Sequence, residues 1–255
     1  MDESMFIGLD VHARSVTAAL LDGTTGELRS AAAPARTAEL VEWLCGQGGQ
    51  LAVAYEAGPT GFGLARACEA ARIPCLVAAP SRIPRAAADR VKTDRRDALR
   101  PAKLLRLGEL VAIRVPSESE EAARDLVRAR EDARGDLMRA RHRVSKLLLR
   151  HDLLWEGRAW TQAHERWLAG QRFAARPLQI AYEEALAAIW AVQARRDALD
   201  AAIAAEAARE PWAGVVGRLC CLRGVSVRGA LSLGGAWRSR PSRLRPVLRP
   251  RVRSL

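Results

Sequence analysis

The sequence predicts an α/β domain on a mixed sheet, joined to a long helical region and a basic tail. Three observations predict it. Residues 5–32 have the texture of a three-strand meander, and residues 37–80 alternate helix with strand. After Pro116 the chain becomes long stretches of Ala, Leu, Arg and Glu, nearly free of Gly and Pro.

Each element has its own signal. MFIGLDV is a short apolar run, SVTAALLD is apolar and β-branched, and the cluster Asp22-Gly23-Thr24-Thr25-Gly26 turns the chain into a third strand. A helix over 37–47 opens at Thr37 and repeats Leu40, Val41 and Leu44 at helical spacing. LAVAYE (51–56) is a buried strand broken by Gly58-Pro59-Thr60-Gly61, and a second helix follows to about Arg72. CLVAAP (75–80) is a strand ended by a proline. Residues 119–151 and 173–209 form two long helices. In the second, Leu178, Tyr182, Leu186, Ile189, Leu199 and Ile203 make an apolar stripe suited to a helical hairpin or coiled coil. The segment between holds Trp155, Trp160 and Trp167 as a shorter packed helix. From about Val225 the composition of Arg, Pro, Ser, Gly and Leu approaches the disordered class. The domain bounds that follow are 1–115, 116–210 and 211–255.

At 255 residues, 49% hydrophobic and 27% charged, the composition is globular. No run of 18 apolar residues occurs, which excludes a membrane-spanning helix, and the acidic start Met1-Asp2-Glu3-Ser4 does not read as a signal peptide. Five cysteines without a CxxC spacing read as reduced thiols of a cytoplasmic protein, not as disulfides or a zinc site. The net charge of +12 is unevenly spread. Residues 211–255 hold ten arginines and no acid, which leaves 31 basic against 29 acidic residues before them. A polyanionic partner fits this balance.

Four carboxylates stand where metal chemistry needs them. Asp10 ends the first strand in Gly8-Leu9-Asp10-Val11-His12, and Glu56 ends LAVAYE. Asp94 and Asp97, in KTDRRDA, share one face at the start of a predicted helix. Acids at strand ends and one helix start can converge on a sheet edge. Their mutual repulsion is then relieved by a cation such as Mg²⁺. Two ions about 4 Å apart suit in-line attack on a phosphodiester. Three of the acids also have a plainer reading, Asp10 as a turn residue, Asp94 as a helix cap and Asp97 as a first-turn acid favoured by the dipole, whereas Glu56, closing an apolar strand, needs a partner.

GLDVH, YEAGPTGFGL, APSRIP, DRVKTDRRDAL and GELVAIRVP, in that order, resemble the DEDD transposases of bacterial insertion sequences. These are RNA-guided (bridge-RNA) recombinases with a RuvC-like N-terminal domain. The resemblance runs from about residue 5 to about 227, and the pairing of KTDRRDA with GLDVH makes it specific. It implies a ribonuclease-H-like domain, a coiled coil for dimerisation, and a smaller domain that supplies a nucleophilic serine. It further implies that Asp10, Glu56, Asp94 and Asp97 bind Mg²⁺ beside the scissile DNA strand; Lys92 and Arg95 flank them, either against phosphate or as solvated charges at the helix start. DNA, a guide RNA and a second copy of the chain are the implied partners.

Two features depart from the family pattern. Pro101 falls inside the helix after KTDRRDA, where it crowds the carbonyl of Asp97 at a cost of roughly 3 kcal/mol if the helix is regular. LCCLRGVSV resembles the opening of the serine domain, but no serine beyond it stands in a nucleophile-like context. The acid-free tail has the texture of a frameshifted or degraded end, so the expected activity is impaired.

Residues 137–151 carry Arg139, Arg141, Arg143, Lys146 and Arg150 without an acid. Arg139/Arg143 and Lys146/Arg150 are i,i+4 pairs that can follow a phosphate backbone, or simply form a solvated face. No HxxxH spacing supports zinc; His12 follows Asp10 closely enough to reach the site, but is read first as a packing or polar-edge residue. Three function classes result: a Mg²⁺-dependent DNA transposase, a non-catalytic nucleic-acid-binding remnant, and, with least support, a kinase of the same superfold.

Overall fold

The structure, a computed structural model, describes residues 4–80 and 94–237, with side chains over 4–80 and 96–233. The chain divides into two compact units, the second beginning at Ser117.

The first unit is built on a five-stranded mixed sheet of order β3-β2-β1-β4-β5. β1 (Ser4–Val11), β2 (Val16–Asp22) and β3 (Leu28–Ala33) form the expected antiparallel meander. The predicted turn closes because Asp22 Oδ1 accepts the amides of Thr24 (2.8 Å) and Thr25 (2.6 Å), a bonding that lowers its pKa. β4 (Gln50–Glu56) and β5 (Cys75–Ala78) then add in parallel. The segment after the last helix of this unit covers the β5 edge, where the amide of Ile113 donates to the Val77 carbonyl at 2.8 Å.

Strand alternation sorts the core into two layers. Ile7, Leu9, Val16, Val53 and Tyr55 face one side, where α1 (Thr37–Cys45) and α2 (Gly63–Ala70) cover them with Leu40, Leu44, Leu64 and Cys68. The other side is covered by α3 (Asp94–Leu107), which packs Ala98 and Ala102 on Ala19 and Leu21. The helix continues through Pro101, so the predicted departure is absorbed without ending the element. All five cysteines are free thiols.

The second unit is a helical hairpin with short helices docked on it. α4 (Glu118–Leu149) begins in a capping box: Ser117 Oγ accepts the Glu120 amide (3.2 Å), and Glu120 Oε2 accepts the Ser117 amide (2.8 Å). α6 (Arg176–Ala207) runs antiparallel to it. At one end Ala123 and Val127 meet Ile203 and Ala207; at the other Val144 and Leu148 meet Tyr182 and Ile189. Both long helices lie within a few residues of their predicted bounds. α5 (Gln162–Gly170) is the predicted short helix between them, holding Leu168 in the second cluster.

One expectation fails. The composition from Val225 onward points to disorder, yet α8 (Val227–Trp237) folds back on the hairpin beside α7 (Ala213–Cys220). Ala230 and Leu231 are completely buried beside Trp212 and Val216, which explains the order. The closely spaced prolines begin only at Pro241, outside the described residues. Among the described residues no helix is long and apolar enough to cross a membrane.

Candidate functional site

The sheet brings two of the predicted acids together through register alone. β1 and β4 pair in parallel with Gly8 beside Ala54 and Leu9 beside Tyr55, so the next pair along is Asp10 and Glu56. Neighbouring strands lie about 4.8 Å apart. Leu9 and Tyr55 face α1 and α2, so Asp10 and Glu56, one residue on, both belong to the opposite face, which α3 covers.

Gly8 sets how closely α3 lies on that face. A Cβ at Gly8 would stand 2.0 Å from the carbonyl oxygen of Ala98 and 2.6 Å from the amide nitrogen of Ala102. The helix backbone therefore rests directly on the strand. At the far end of α3, Arg106 donates to the Gly23 carbonyl (3.3 Å), and Gly23 in turn donates to the Ser4 carbonyl at the start of β1. α3 thus runs opposite to β1, and its first turn, 94–97, lies towards the Asp10 end of the strand. Asp97 is half-buried.

Local bonds hold the surroundings. His12 Nε2 lies 3.2 Å from Asp10 Oδ2, with Asp10 16% and His12 53% exposed. The His12 amide closes a tight turn on the Ser15 carbonyl (2.9 Å). His12 therefore reaches Asp10, the alternative that its place two residues along the chain offered, rather than serving only as a packing or polar-edge residue. On the other face the Tyr55 hydroxyl donates to the Gly61 carbonyl (3.4 Å), fixing the glycine turn after Glu56. Burial pushes the Tyr55 phenol well above its ordinary range.

Backbone placement thus gathers Asp10, Glu56 and Asp97 at one end of one face, with Asp94 one turn ahead of Ala98. Among the described residues, however, no three His, Cys, Asp or Glu side chains approach closely enough to hold an ion. The Asp94 and Arg95 side chains and the whole of Lys92 lie outside the described residues.

The predicted basic stripe of α4 is in place, with Arg139, Arg143, Lys146 and Arg150 all exposed. Arg139 is bound to Asp136, whereas the other three have no ion-pair partner among the described residues.

A five-stranded mixed sheet with helices on both faces, and with Asp10 and Glu56 at adjacent strand ends, is consistent with a ribonuclease-H-like nuclease or transposase core. Sequence comparison places it more closely. The family model for DEDD transposases of the IS110 type, described as a transposase, matches residues 7–151. The chain is 32% identical, over 91% of its own length and 69% of the relative's, to the transposase for insertion sequence element IS1533 of Leptospira borgpetersenii. It is 42% identical to the transposase-named protein y4qE of Sinorhizobium fredii, over 70% of this chain and 47% of that one. The chain belongs to the DEDD transposase family. It spans about half to two thirds of the length of these relatives.

Proposed function

We propose that this chain carries the DNA-cleaving site of an insertion-sequence transposase, with Mg²⁺ held by Asp10, Glu56, Asp94 and Asp97, and that strand exchange is impaired in it because no serine after Val227 stands in a nucleophile-like context. The observation that carries this reading is the register that sets Asp10 beside Glu56 on the face where α3 begins. The donor set fits the ion: the four proposed ligands are carboxylates, which suit a hard cation, and the one imidazole nearby, His12, is engaged with Asp10 Oδ2. When bound, Mg²⁺ polarises the phosphodiester and offsets charge that develops on its oxygens. The chain's own part is positional. β1 and β4 fix two carboxylates side by side, and His12 holds one oxygen of Asp10. The close seating of α3 sets its first turn at the same end of that face, and Lys92 and Arg95, neighbours of the acids in sequence, are the proposed phosphate contacts. The partners in this reading are DNA, a guide RNA and a second copy of the chain.

The test is metal-dependent nicking of duplex DNA by Glu56→Gln and Asp97→Asn. Each should lose at least about 10²-fold in rate, as expected when a preorganised electrostatic group is removed. Each should also weaken Mn²⁺ binding measured by paramagnetic resonance, with the circular dichroism spectrum unchanged. Full activity in both variants would reject the site. A second reading, a chain that binds nucleic acid without cutting it, is favoured by the absence of a preformed three-ligand cluster among the described side chains. It predicts undiminished DNA binding with no metal-dependent product.

The dimerisation reading takes a different surface from the one the sequence offered. Tyr182, Ile189 and Ile203, the heart of the α6 stripe, are buried against α4 of the same chain. The outward face of α6 instead repeats exposed Ala187, Ala191, Ala194, Ala198, Ala201 and Ala205 at steps of three and four. Antiparallel self-pairing about position 196 would set Ala191 against Ala201, Ala194 against Ala198, and Arg195 against Asp197, as a two-fold contact requires. Ala194→Glu should then give a monomer in sedimentation where the parent chain is a dimer; equal mass for both removes this face.

A further inference from the structure

The arginines of the helical unit divide into two populations. Towards the end where α7 and α8 dock, they are spent on carboxylates: Arg128 on Asp125, Arg130 on Asp200, Arg134 on Glu131, and Arg209 on Glu206. Beyond Arg139 the pattern changes. Arg143, Lys146 and Arg150 on α4, Arg158 in the connecting loop, Arg166 on α5 and Arg176 at the start of α6 are all exposed. None has a carboxylate within ion-pair distance among the described residues. Between 143 and 176 there are seven basic residues and three acidic ones. Glu183 and Glu184 of α6 share this end, but Glu183 is engaged by the Gln179 amide.

These cations sit on an ordered frame. The loop is held by bonds from Trp155 Nε1 and Thr161 Oγ1 to the Arg158 carbonyl, both 3.2 Å. α5 is fixed by His164, whose Nδ1 accepts the Trp160 amide (2.9 Å) and whose ring stacks on Trp167 at 5.7 Å. Desolvation lowers the His164 pKa, which keeps this acceptor neutral. Arg141 lies 4.3 Å over the Trp160 ring and donates to Gln193, tying the loop to both long helices. Arg143, Lys146 and Arg150 follow one another at steps of three and four over about 10 Å of helix.

We propose that this end of the helical unit is a docking surface for duplex DNA, held through phosphates without base readout. Six cations without carboxylate partners on a rigid frame match a polyanion. The aromatic residues decide its form. Trp155, Trp160, Trp167 and Phe173 are half-buried and engaged with each other, His164 and Tyr182, so no open ring is offered for stacking an unpaired base. The choice of DNA over RNA rests on the proposed transposase function; the surface itself does not depend on the acids of the first unit.

The test compares two triple variants of the full chain in duplex-DNA titrations across salt concentrations. Arg143→Ala/Lys146→Ala/Arg150→Ala should lower the slope of log K against log salt by about 2.7, and weaken binding on the order of 10²-fold at 0.1 M salt. Arg128→Ala/Arg134→Ala/Arg209→Ala removes the same net charge from ion-paired positions and should leave the slope within experimental scatter. The C-terminal arginines are present in both and cancel. Arg158→Ala/Arg166→Ala gives an independent reading on a different element should the first variant misfold. Equal loss in the paired-arginine variant, or no loss in the other two, would overturn the surface. Tighter binding of a hairpin RNA than of duplex DNA, with the same variants losing it, would overturn the DNA assignment. Asp97→Asn should keep the parental slope, so failure of the metal site and failure of this surface are separately visible.

Discussion

Alanine at position 8 is expected to destabilise the first unit by about 3 kcal/mol and to weaken metal binding at the acids by at least about tenfold. The added methyl would lie 2.0 Å from one backbone atom of α3 and 2.6 Å from another, distances no side-chain rotation can relieve. Ala98 and Ala102, the residues in the way, are themselves completely buried. The helix must therefore lift from the sheet, carrying Asp97 away from Asp10 and Glu56. A second substitution sharpens the argument. Ala102→Gly removes only the third and longest contact, at 3.1 Å to the Ala102 Cβ, so it should not rescue Gly8→Ala. Urea denaturation followed by near-ultraviolet dichroism reads the stability, and Mn²⁺ titration reads the site. A Gly8→Ala chain with parental midpoint and metal affinity would show that α3 is not seated by this contact.

That contact illustrates what the sequence discloses and what it withholds. Strand alternation and helical spacing are local, so GLDV, LAVAYE and the Leu178–Ile203 stripe were enough to place β1, β4 and the hairpin. The pairing of Asp10 with Glu56 was legible only as convergence of strand ends, because the register that joins them depends on parallel pairing of segments about 45 residues apart. Gly8 carried no signal of its own, since a glycine in a strand is equally a bulge or a close approach until the overlying helix is known. α8 was missed for a different reason. Its sequence VRGALSLGGAW holds three glycines, poor helix formers, and its order comes from burying Ala230 and Leu231 against partners far away in the chain. Tertiary burial outweighed local propensity there. The apolar stripe of α6 is legible as a packing face suited to a hairpin or to dimerisation, but that its partner is α4 of the same chain is not encoded in spacing.

The docking of α8 leads to the other large expected effect. Arg130 is only 9% exposed and binds Asp200 through two bonds, Nε to Oδ1 at 2.8 Å and Nη2 to Oδ2 at 3.0 Å, with Nη1 on Glu131 at 3.2 Å. Glu131 also receives Arg134 at 2.8 Å and Arg228 of α8 at 3.5 Å, so the cluster ties α4, α6 and α8. Removing one partner of a buried pair costs more than replacing the charge by an apolar group, because the remaining ion is left without compensation. Asp200→Ala strands a buried guanidinium with only the Glu131 contact and should cost about 2 kcal/mol, below the usual range because Asp200 is 39% exposed and solvent screens the pair. Arg130→Met leaves a carboxylate that water can reach and fills the vacated space, so it should cost under about 1.5 kcal/mol. The order of the two variants is the discriminating result. Acid dependence should follow the same bonds. The guanidinium contacts hold the Asp200 and Glu131 carboxyls below their ordinary pKa, so the unfolded chain binds more protons than the folded one as pH falls below about 4.5. Their stabilisation is complete above that value and is lost as pH drops through the folded pKa values, and Asp200→Ala should flatten this slope. Hydrogen exchange at the amides of α6 and α8 between pH 3 and 6 measures both effects where they arise, and a variant order with Arg130→Met the more damaging would mean that packing of the arginine stem, not its charge, holds α8 in place.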